Sequence, residues 1–260
     1  MSSLLGIEGR VAIVTGGGGN IGRATAVMLA QAGVHVVVAD FDGPAAEETA
    51  RLARRPGVEV RAIQADATRV ADIDAMVQMA MDLGGRLDIG VNVVGGGGAD
   101  QSILETPDDV WERTVEWNLY STVRCSRAYA RVMVDRGIEG SIVNVASPAG
   151  LRASPGMAAY GASKAAVINF TWTLAVELAP MGIRANVVVP AFDTRPGMTF
   201  GGSPAEQEAL ARRVVPMGRP TRAEDVAGAI LCFASDLTSF STGQMIVCDG
   251  GRLLTNPIFG

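Results

Sequence analysis

The sequence predicts an α/β fold built on a doubly wound parallel sheet, and three observations carry that prediction. Short runs of Val, Ile and Ala alternate with longer helical patterns almost to the end of the 260-residue chain. Those runs lack the polar alternation of a half-exposed sheet, so both sheet faces must be covered. Two four-glycine runs, Gly16 to Gly19 and Gly95 to Gly98, each follow a predicted strand, which is where open α/β sheets bind ligands.

Strands are expected at about 10–15, 34–40, 58–64, 87–94, 140–146, 183–189 and 243–248. Helical patterns lie between them at about 20–32, 43–55, 69–83, 107–136, 157–180 and 222–235. This alternation gives β-α-β units whose right-handed crossovers place helices on both faces. The interval 191–220, containing DTRPGMTFGGSPAEQ, resists the pattern. It reads as a mobile excursion, a substrate lid within a single domain spanning 1–260, because a long loop inside a compact domain is usually functional or disordered.

Composition narrows the function. A net charge of −5 with no Lys/Arg-rich block gives no electrostatic reason to expect nucleic acid or an anionic membrane as partner. A small molecule is the expected ligand. Runs such as VHVVVA and NVVVPAF are too short to span a bilayer, and MSSLLGIEGR has no basic flank before an apolar core. The expectation is therefore a cytoplasmic protein. Cys125, Cys232 and Cys248 lack metal-ligand spacing and the single histidine, His35, lies in a strand-like run, so neither a disulfide framework nor a metal site is expected.

The stretch TGGGGNIGRA, Thr15 to Ala24, reads as a glycine-rich turn from strand to helix. The helix start directs unpaired N–H groups and a positive dipole end above the loop, which suits a pyrophosphate. Gly16, Asn20, Ile21 and Gly22 are the expected contacts. Asn20 stands where glycine would be usual, and asparagine tolerates left-handed backbone angles better than other non-glycine residues. Asp40 ends VHVVVAD eighteen residues after Gly22. A carboxylate there can accept hydrogen bonds from ribose hydroxyls and repels a 2′-phosphate, which favours NAD(H) over NADP(H). Asp42 and Gly43 are better placed than Asp40 to start the next helix. In QADAT, Asp66 contacts an adenine edge beside Ala67 or serves as a strand-end cap.

The chemistry is signalled by YGASK. Tyr160 and Lys164 are four apart on one helical face. An ammonium beside a phenol favours the phenolate and brings a pKa of about 10 toward the working range of a general acid/base. Ser147 ends SIVNVAS thirteen residues before Tyr160, where its hydroxyl could hold a substrate oxygen.

Taken together, these residues resemble the short-chain dehydrogenase/reductase family from about Arg10 to Gly251. The family loop TGxxxGxG matches Thr15, Gly16 and Gly22, with Asn20 replacing the middle glycine. Its NNAG segment is represented by NVVG, keeping Asn92 and Gly95, and its Asn-Ser-Tyr-Lys set falls on Asn118, Ser147, Tyr160 and Lys164. The resemblance implies a Rossmann fold and an oxidoreductase that interconverts an alcohol and its ketone by hydride transfer. Tyr160 would be the general acid/base, Ser147 would position the substrate oxygen, and Lys164 would also bind the nicotinamide ribose. Asn118 would hold a water that relays protons. It also implies a homotetramer, since STGQMIVCDGG resembles the family's final strand. After Pro190 the usual glycine is Ala191, so either Thr194 or Arg195 takes the nicotinamide-contacting position, and Thr194 is expected there because its hydroxyl can both donate and accept.

The loops expected around the site supply Leu151, Met157, Phe192, Met198 and Phe200, which suit a bulky, mostly apolar secondary alcohol. Packing of these side chains against the body is the plainer alternative. Arg152 or Arg195 would instead turn the preference toward anionic substrates. Two other functions remain open: a 3-oxoacyl-(acyl-carrier-protein or CoA) reductase, and a catalytically silent NAD-binding or sensing protein. Val176 stands where carrier-binding reductases commonly have arginine.

Overall fold

A computed structural model of the chain describes residues 2–96, 102–190 and 203–255. Seven strands form one sheet in the order β3-β2-β1-β4-β5-β6-β7, and every neighbouring pair is parallel. They are β1 (Val11–Thr15), β2 (His35–Asp40), β3 (Val60–Gln64), β4 (Ile89–Asn92), β5 (Ser141–Val145), β6 (Arg184–Pro190) and β7 (Met245–Cys248). Each lies within or one residue beyond an expected interval.

The helices are α1 (Ser2–Leu5), α2 (Asn20–Gln31), α3 (Gly43–Ala53), α4 (Val70–Gly84), α5 (Asp108–Val115), α6 (Ser121–Arg136), α7 (Ala158–Leu178), α8 (Pro204–Val214) and α9 (Ala223–Ala234). Every residue of β1 is buried, and its side chains alternate between the two sheet faces as the pleat requires. Ala12 and Val14 pack with Leu29 of α2, Ala50 of α3 and Ile230 of α9, whereas Val11 and Ile13 pack with Met76 of α4, Met133 of α6 and Leu174 of α7. Thus two layers of helices cover the sheet, and its central strands β1, β4 and β5 are buried on both sides for that reason. Among the described residues no helix is long and apolar enough to cross a membrane.

Local chemistry fixes several boundaries. The Asp42 carboxylate accepts from the Ala45 amide at 3.0 Å and caps α3, as expected. Gly85 and Gly137 end α4 and α6 in left-handed conformations, with φ of 68° and 62°. The interval 191–220 is not one continuous excursion. Ser203 and Glu206 form a capping box that starts α8, and Ala211 and Val215 are buried. Its S-P-A-E start is a local helix signal set among Gly and Pro residues that favour a loop. The expected helix over 107–136 is also interrupted, because a π-helical turn at Glu116–Tyr120 separates α5 from α6. Such turns are rare and often mark functional sites.

Strand order reverses between β1 and β4, whose carboxyl ends diverge into separate loops. This switch point is where the sheet can open to a ligand.

Candidate active site

A cleft of about 490 Å³ occupies the switch point. One wall is the glycine turn. Gly16 has φ of +66°, and a Cβ on Gly22 would run into the Gly16 carbonyl, so α2 can start this close to β1 only with glycine at both positions. Gly16, Asn20, Ile21 and Gly22 all line the cleft. Asn20 is the first residue of α2, and among the described residues no non-glycine has positive φ. Tolerance of left-handed angles is therefore not what makes asparagine acceptable here: that demand falls on Gly16.

Asp40 closes the same end of the cleft. Its carboxylate accepts from the Gly18 amide at 2.8 Å and the Asp42 amide at 3.0 Å, which ties the glycine turn to the end of β2. Arg23, the cation nearest the glycine turn in sequence, donates to Thr49 Oγ1 and to the Gly18 carbonyl, both at 3.0 Å.

The adenine-side expectations divide. Asp66 and Ala67 line the cleft, but Asp66 Oδ1 accepts from the Thr68 amide at 2.9 Å and from the Thr68 hydroxyl at 2.7 Å, the strand-end alternative. The side chain of Asn92 is not among the cleft-lining groups. It is buried, accepting from Thr15 at 3.4 Å and donating to Ser126 at 3.0 Å and Asn144 at 2.9 Å. Asn144 in turn donates to Thr171 at 2.9 Å. This satisfied polar ladder joins β1, β4, β5, α6 and α7 behind the cleft. Asn92 was expected at the cofactor because a motif position does not reveal which sheet face a strand-end side chain takes.

Tyr160 and Lys164 stand on the first turns of α7 and line the cleft beside Val145, Ala146 and Pro190. Lys164 is 2% exposed, and its Nζ lies 5.9 Å from the centroid of the Tyr160 ring. Nζ donates to the Val145 carbonyl at 3.2 Å. Burial lowers the lysine pKa from 10.5 to about 8.

Ser147 follows Val145 and Ala146 and is 9% exposed. Its hydroxyl accepts from the Ala149 amide at 3.3 Å, capping the single 3₁₀ turn Pro148–Gly150. A Cβ on Gly150 would lie 2.7 Å from the backbone of Lys164 and Ala165, so that turn rests directly on α7. The serine and the Tyr160/Lys164 pair are thereby held by one packed unit.

Asn118 is fully buried in the π-helical turn. Its Oδ1 accepts from the Gly96 amide at 3.0 Å, and its Nδ2 donates to the Gly96 carbonyl at 3.0 Å and the Thr114 carbonyl at 2.9 Å. Gly95, with φ of +146°, fits between Asn118 and Lys164, where a Cβ would come within 2.5 Å of Oδ1 and 2.7 Å of Nζ. Of the expected catalytic set, Tyr160 and Lys164 line the cleft, whereas Ser147 and Asn118 are not among its lining residues and stand behind it on the end of β5 and against the loop after β4.

Sequence reasoning missed the far wall. Phe41, Thr68, Val93, Val94, Gly96, Arg113, Glu116 and Trp117 also line the cleft. Arg113, Glu116 and Trp117 precede Asn118 in sequence and were available as its neighbours. Leu151 and Met157 lie on the turn between Ser147 and Tyr160 but are not among the cleft-lining residues, because that turn packs toward α7. Phe192, Thr194, Met198 and Phe200, and with them the Thr194/Arg195 alternative, lie outside the described residues.

Comparison with known proteins agrees with this geometry. A family model described as enoyl-(acyl carrier protein) reductase matches residues 17–252. A 4-formylbenzenesulfonate dehydrogenase of Comamonas testosteroni is 38% identical, over 95% of this chain and 99% of its own. A (3R)-3-hydroxyacyl-CoA dehydrogenase of Rattus norvegicus is 34% identical, over 98% and 100%. The solved structure of an NAD+-bound xylitol dehydrogenase superposes with a TM-score of 0.85 at 32% identity, covering 94% of this chain and 99% of that one. With a glycine turn at the switch point and a Ser-Tyr-Lys set beside it, the chain belongs to the short-chain dehydrogenase/reductase family of nicotinamide-dependent oxidoreductases.

Proposed function

We propose that this protein is an NAD(H)-dependent enzyme interconverting a bulky, mostly apolar secondary alcohol and its ketone. The observation that carries the reading is the Tyr160/Lys164 pair at the cleft, with the ammonium 5.9 Å from the ring centroid. The cleft fits a dinucleotide: its loop is crowded enough to exclude a Cβ at Gly22, and Asp40 stands at the strand end where ribose hydroxyls would be bound.

When bound, the cofactor supplies the hydride acceptor or donor, and this chain's residues handle orientation and the proton. In oxidation, the Tyr160 phenolate accepts the proton of the substrate hydroxyl; in reduction, the Tyr160 phenol returns a proton to the ketone oxygen. The Ser147 hydroxyl donates to that same oxygen and stabilises its developing charge. Lys164, with a pKa of about 8, is mostly ammonium at neutral pH and favours the phenolate. Asn118 holds the Gly95–Gly96 loop beside Lys164, and the second lone pair of its Oδ1 remains as an acceptor for a relaying water.

Asp40 supports NAD(H) over NADP(H), since its carboxylate lines the cleft and the nearby Arg23 is bonded to Thr49 and the Gly18 carbonyl. A single catalytic domain spanning 1–260 and a homotetramer complete the reading. Trp172 and Val176, 45% and 76% exposed on α7, offer apolar surface for association. Light scattering tests the tetramer, and a monomer would count against it.

A 3-oxoacyl thioester reductase is the second reading, favoured by the enoyl-(acyl carrier protein) reductase family model and the 3-hydroxyacyl-CoA dehydrogenase relative. The deciding experiment is a screen of NADH production over neutral cyclic and aryl alcohols, hydroxysteroids, sugars, hydroxy acids and 3-hydroxyacyl thioesters. Highest kcat/KM on a neutral cyclic alcohol supports the first reading. Highest kcat/KM on a thioester supports the second, and a sugar or hydroxy acid overturns both.

A further inference from the structure

One arginine behind the cleft wall joins two of the elements that form it. Arg124, on the first turn of α6, donates through Nη1 to the Thr68 carbonyl at 2.6 Å. The same nitrogen pairs with the Glu116 carboxylate, and the guanidinium carbon lies 5.4 Å from the Tyr120 ring centroid. Thr68 belongs to the turn after β3 that also carries Asp66 and Ala67, and its amide and hydroxyl both donate to Asp66. Glu116 and Tyr120 are the first and last residues of the π-helical turn that holds Asn118. Asn118 in turn holds Gly96, while Gly95 lies against Lys164.

We infer that Arg124 is a positioning residue that couples the Asp66–Thr68 turn to the π-helical turn, and through it sets Asn118 and the Gly95–Gly96 loop against Lys164. The physical case rests on the backbone geometry of a π-helical turn. Its i→i+5 bonds spread the helix and leave it less regular than the α-helices on either side. A guanidinium that clamps both ends of the turn selects one arrangement of it. Arg suits the task because one planar group can meet a carbonyl and a carboxylate while stacking near an aromatic ring. Arg124 and Glu116 are partly exposed, so the ion pair by itself contributes little to global stability. Its effect is local, on which conformation of residues 116–120 is populated.

The inference rests on the dinucleotide reading of the cleft only for its kinetic consequence; the conformational part stands on the protein alone. The test is amide hydrogen exchange of the protein without cofactor, comparing wild type with Arg124→Met and Arg124→Lys. Equilibrium NADH binding by fluorescence and kcat follow on the same samples. Arg124→Met should speed exchange about tenfold both in the segment 66–69 and at Gly96, whose amide Asn118 accepts. It should also weaken NADH binding and lower kcat together, and Arg124→Lys should recover part of each effect.

Faster exchange confined to 66–69, with Gly96 protection and kcat at wild-type values, would overturn the coupling, as would no change anywhere. Where Arg124→Met does not fold, Glu116→Gln carries the same comparison, with the same two outcomes read at Gly96. A wild-type protein that neither binds NADH nor turns over alcohols defeats the proposed function, while the exchange data still decide the coupling.

Discussion

The Lys164 ammonium and the Tyr160 ring are held 5.9 Å apart, Nζ to ring centroid, while the lysine is bonded to the Val145 carbonyl and almost wholly removed from water. A charge so placed acts on the phenol with little screening. Replacing Tyr160 with Phe keeps the ring and removes the transferable proton. Tyr160→Phe should lower kcat by about 10³-fold. NADH affinity, measured by fluorescence titration, should stay within about threefold of wild type on the same principle that only proton transfer is lost. A variant retaining a tenth or more of wild-type kcat, roughly, would remove Tyr160 from the acid/base role.

The same burial has a thermodynamic cost that can be read without substrate. Lys164 has a folded pKa of about 8 against 10.5 when unfolded, so below pH 8 the folded state bears the full penalty of a buried ammonium. As pH rises from 8 to 10.5 the unfolded state binds more protons than the folded one, and the penalty fades. Lys164→Met should therefore stabilise the protein without cofactor by up to about 3 kcal/mol at pH 7, shrinking toward zero above pH 10. Urea unfolding at several pH values checks this. A variant equally stable or less stable than wild type at pH 7 would contradict the penalty.

Asp40 has two tasks. It lines the cleft, where the proposed function has it bind ribose hydroxyls, and its carboxylate also accepts from the Gly18 and Asp42 amides. Asp40→Ala should reduce the NAD-over-NADP preference by about two orders of magnitude, because a like-charge contact costs several kcal/mol. It should also weaken NAD binding itself by about tenfold, since the Gly18 amide of the glycine turn and the Asp42 amide both lose their acceptor. The ratio of kcat/KM for the two cofactors and the Kd for NADH separate these effects. A wild-type preference for NADP would refute the selectivity argument and leave the structural one.

Gly95 admits no side chain. A Cβ there would meet Asn118 and Lys164 at 2.5 and 2.7 Å, in a backbone conformation that L-residues rarely adopt. Gly95→Ala should cost about 2–3 kcal/mol of stability and most of kcat, as the loop retreats from Lys164. Thermal unfolding and turnover measured together check it, and wild-type values for both would show that the loop has room to spare.

Much of this was legible in the sequence because short-range chemistry reports itself. The alternation of Val-rich runs with helical patterns located all seven strands, since a parallel sheet buried on both faces must be apolar throughout. Asp42 as a cap, the glycine turn, and the i,i+4 spacing of Tyr160 and Lys164 are local facts that the backbone merely realises. The four catalytic candidates could be named from one-dimensional pattern and resemblance alone.

What only the tertiary structure decided is which side chains face the cleft and what holds them there. Asn92 and Gly95 belong to one short motif, yet Asn92 turns into a buried ladder with Thr15, Ser126 and Asn144 while Gly95 faces Lys164. Arg113 of α5 and Glu116 and Trp117 of the π-helical turn that follows become cleft wall only through tertiary packing, and that turn has no residue signature. The lowered pKa of Lys164 and the reach of Arg124 from Thr68 to Glu116 depend on packing between segments dozens of residues apart. Propensity and periodicity act over a few residues of chain, whereas burial and through-space contact arise only when distant segments share one interior.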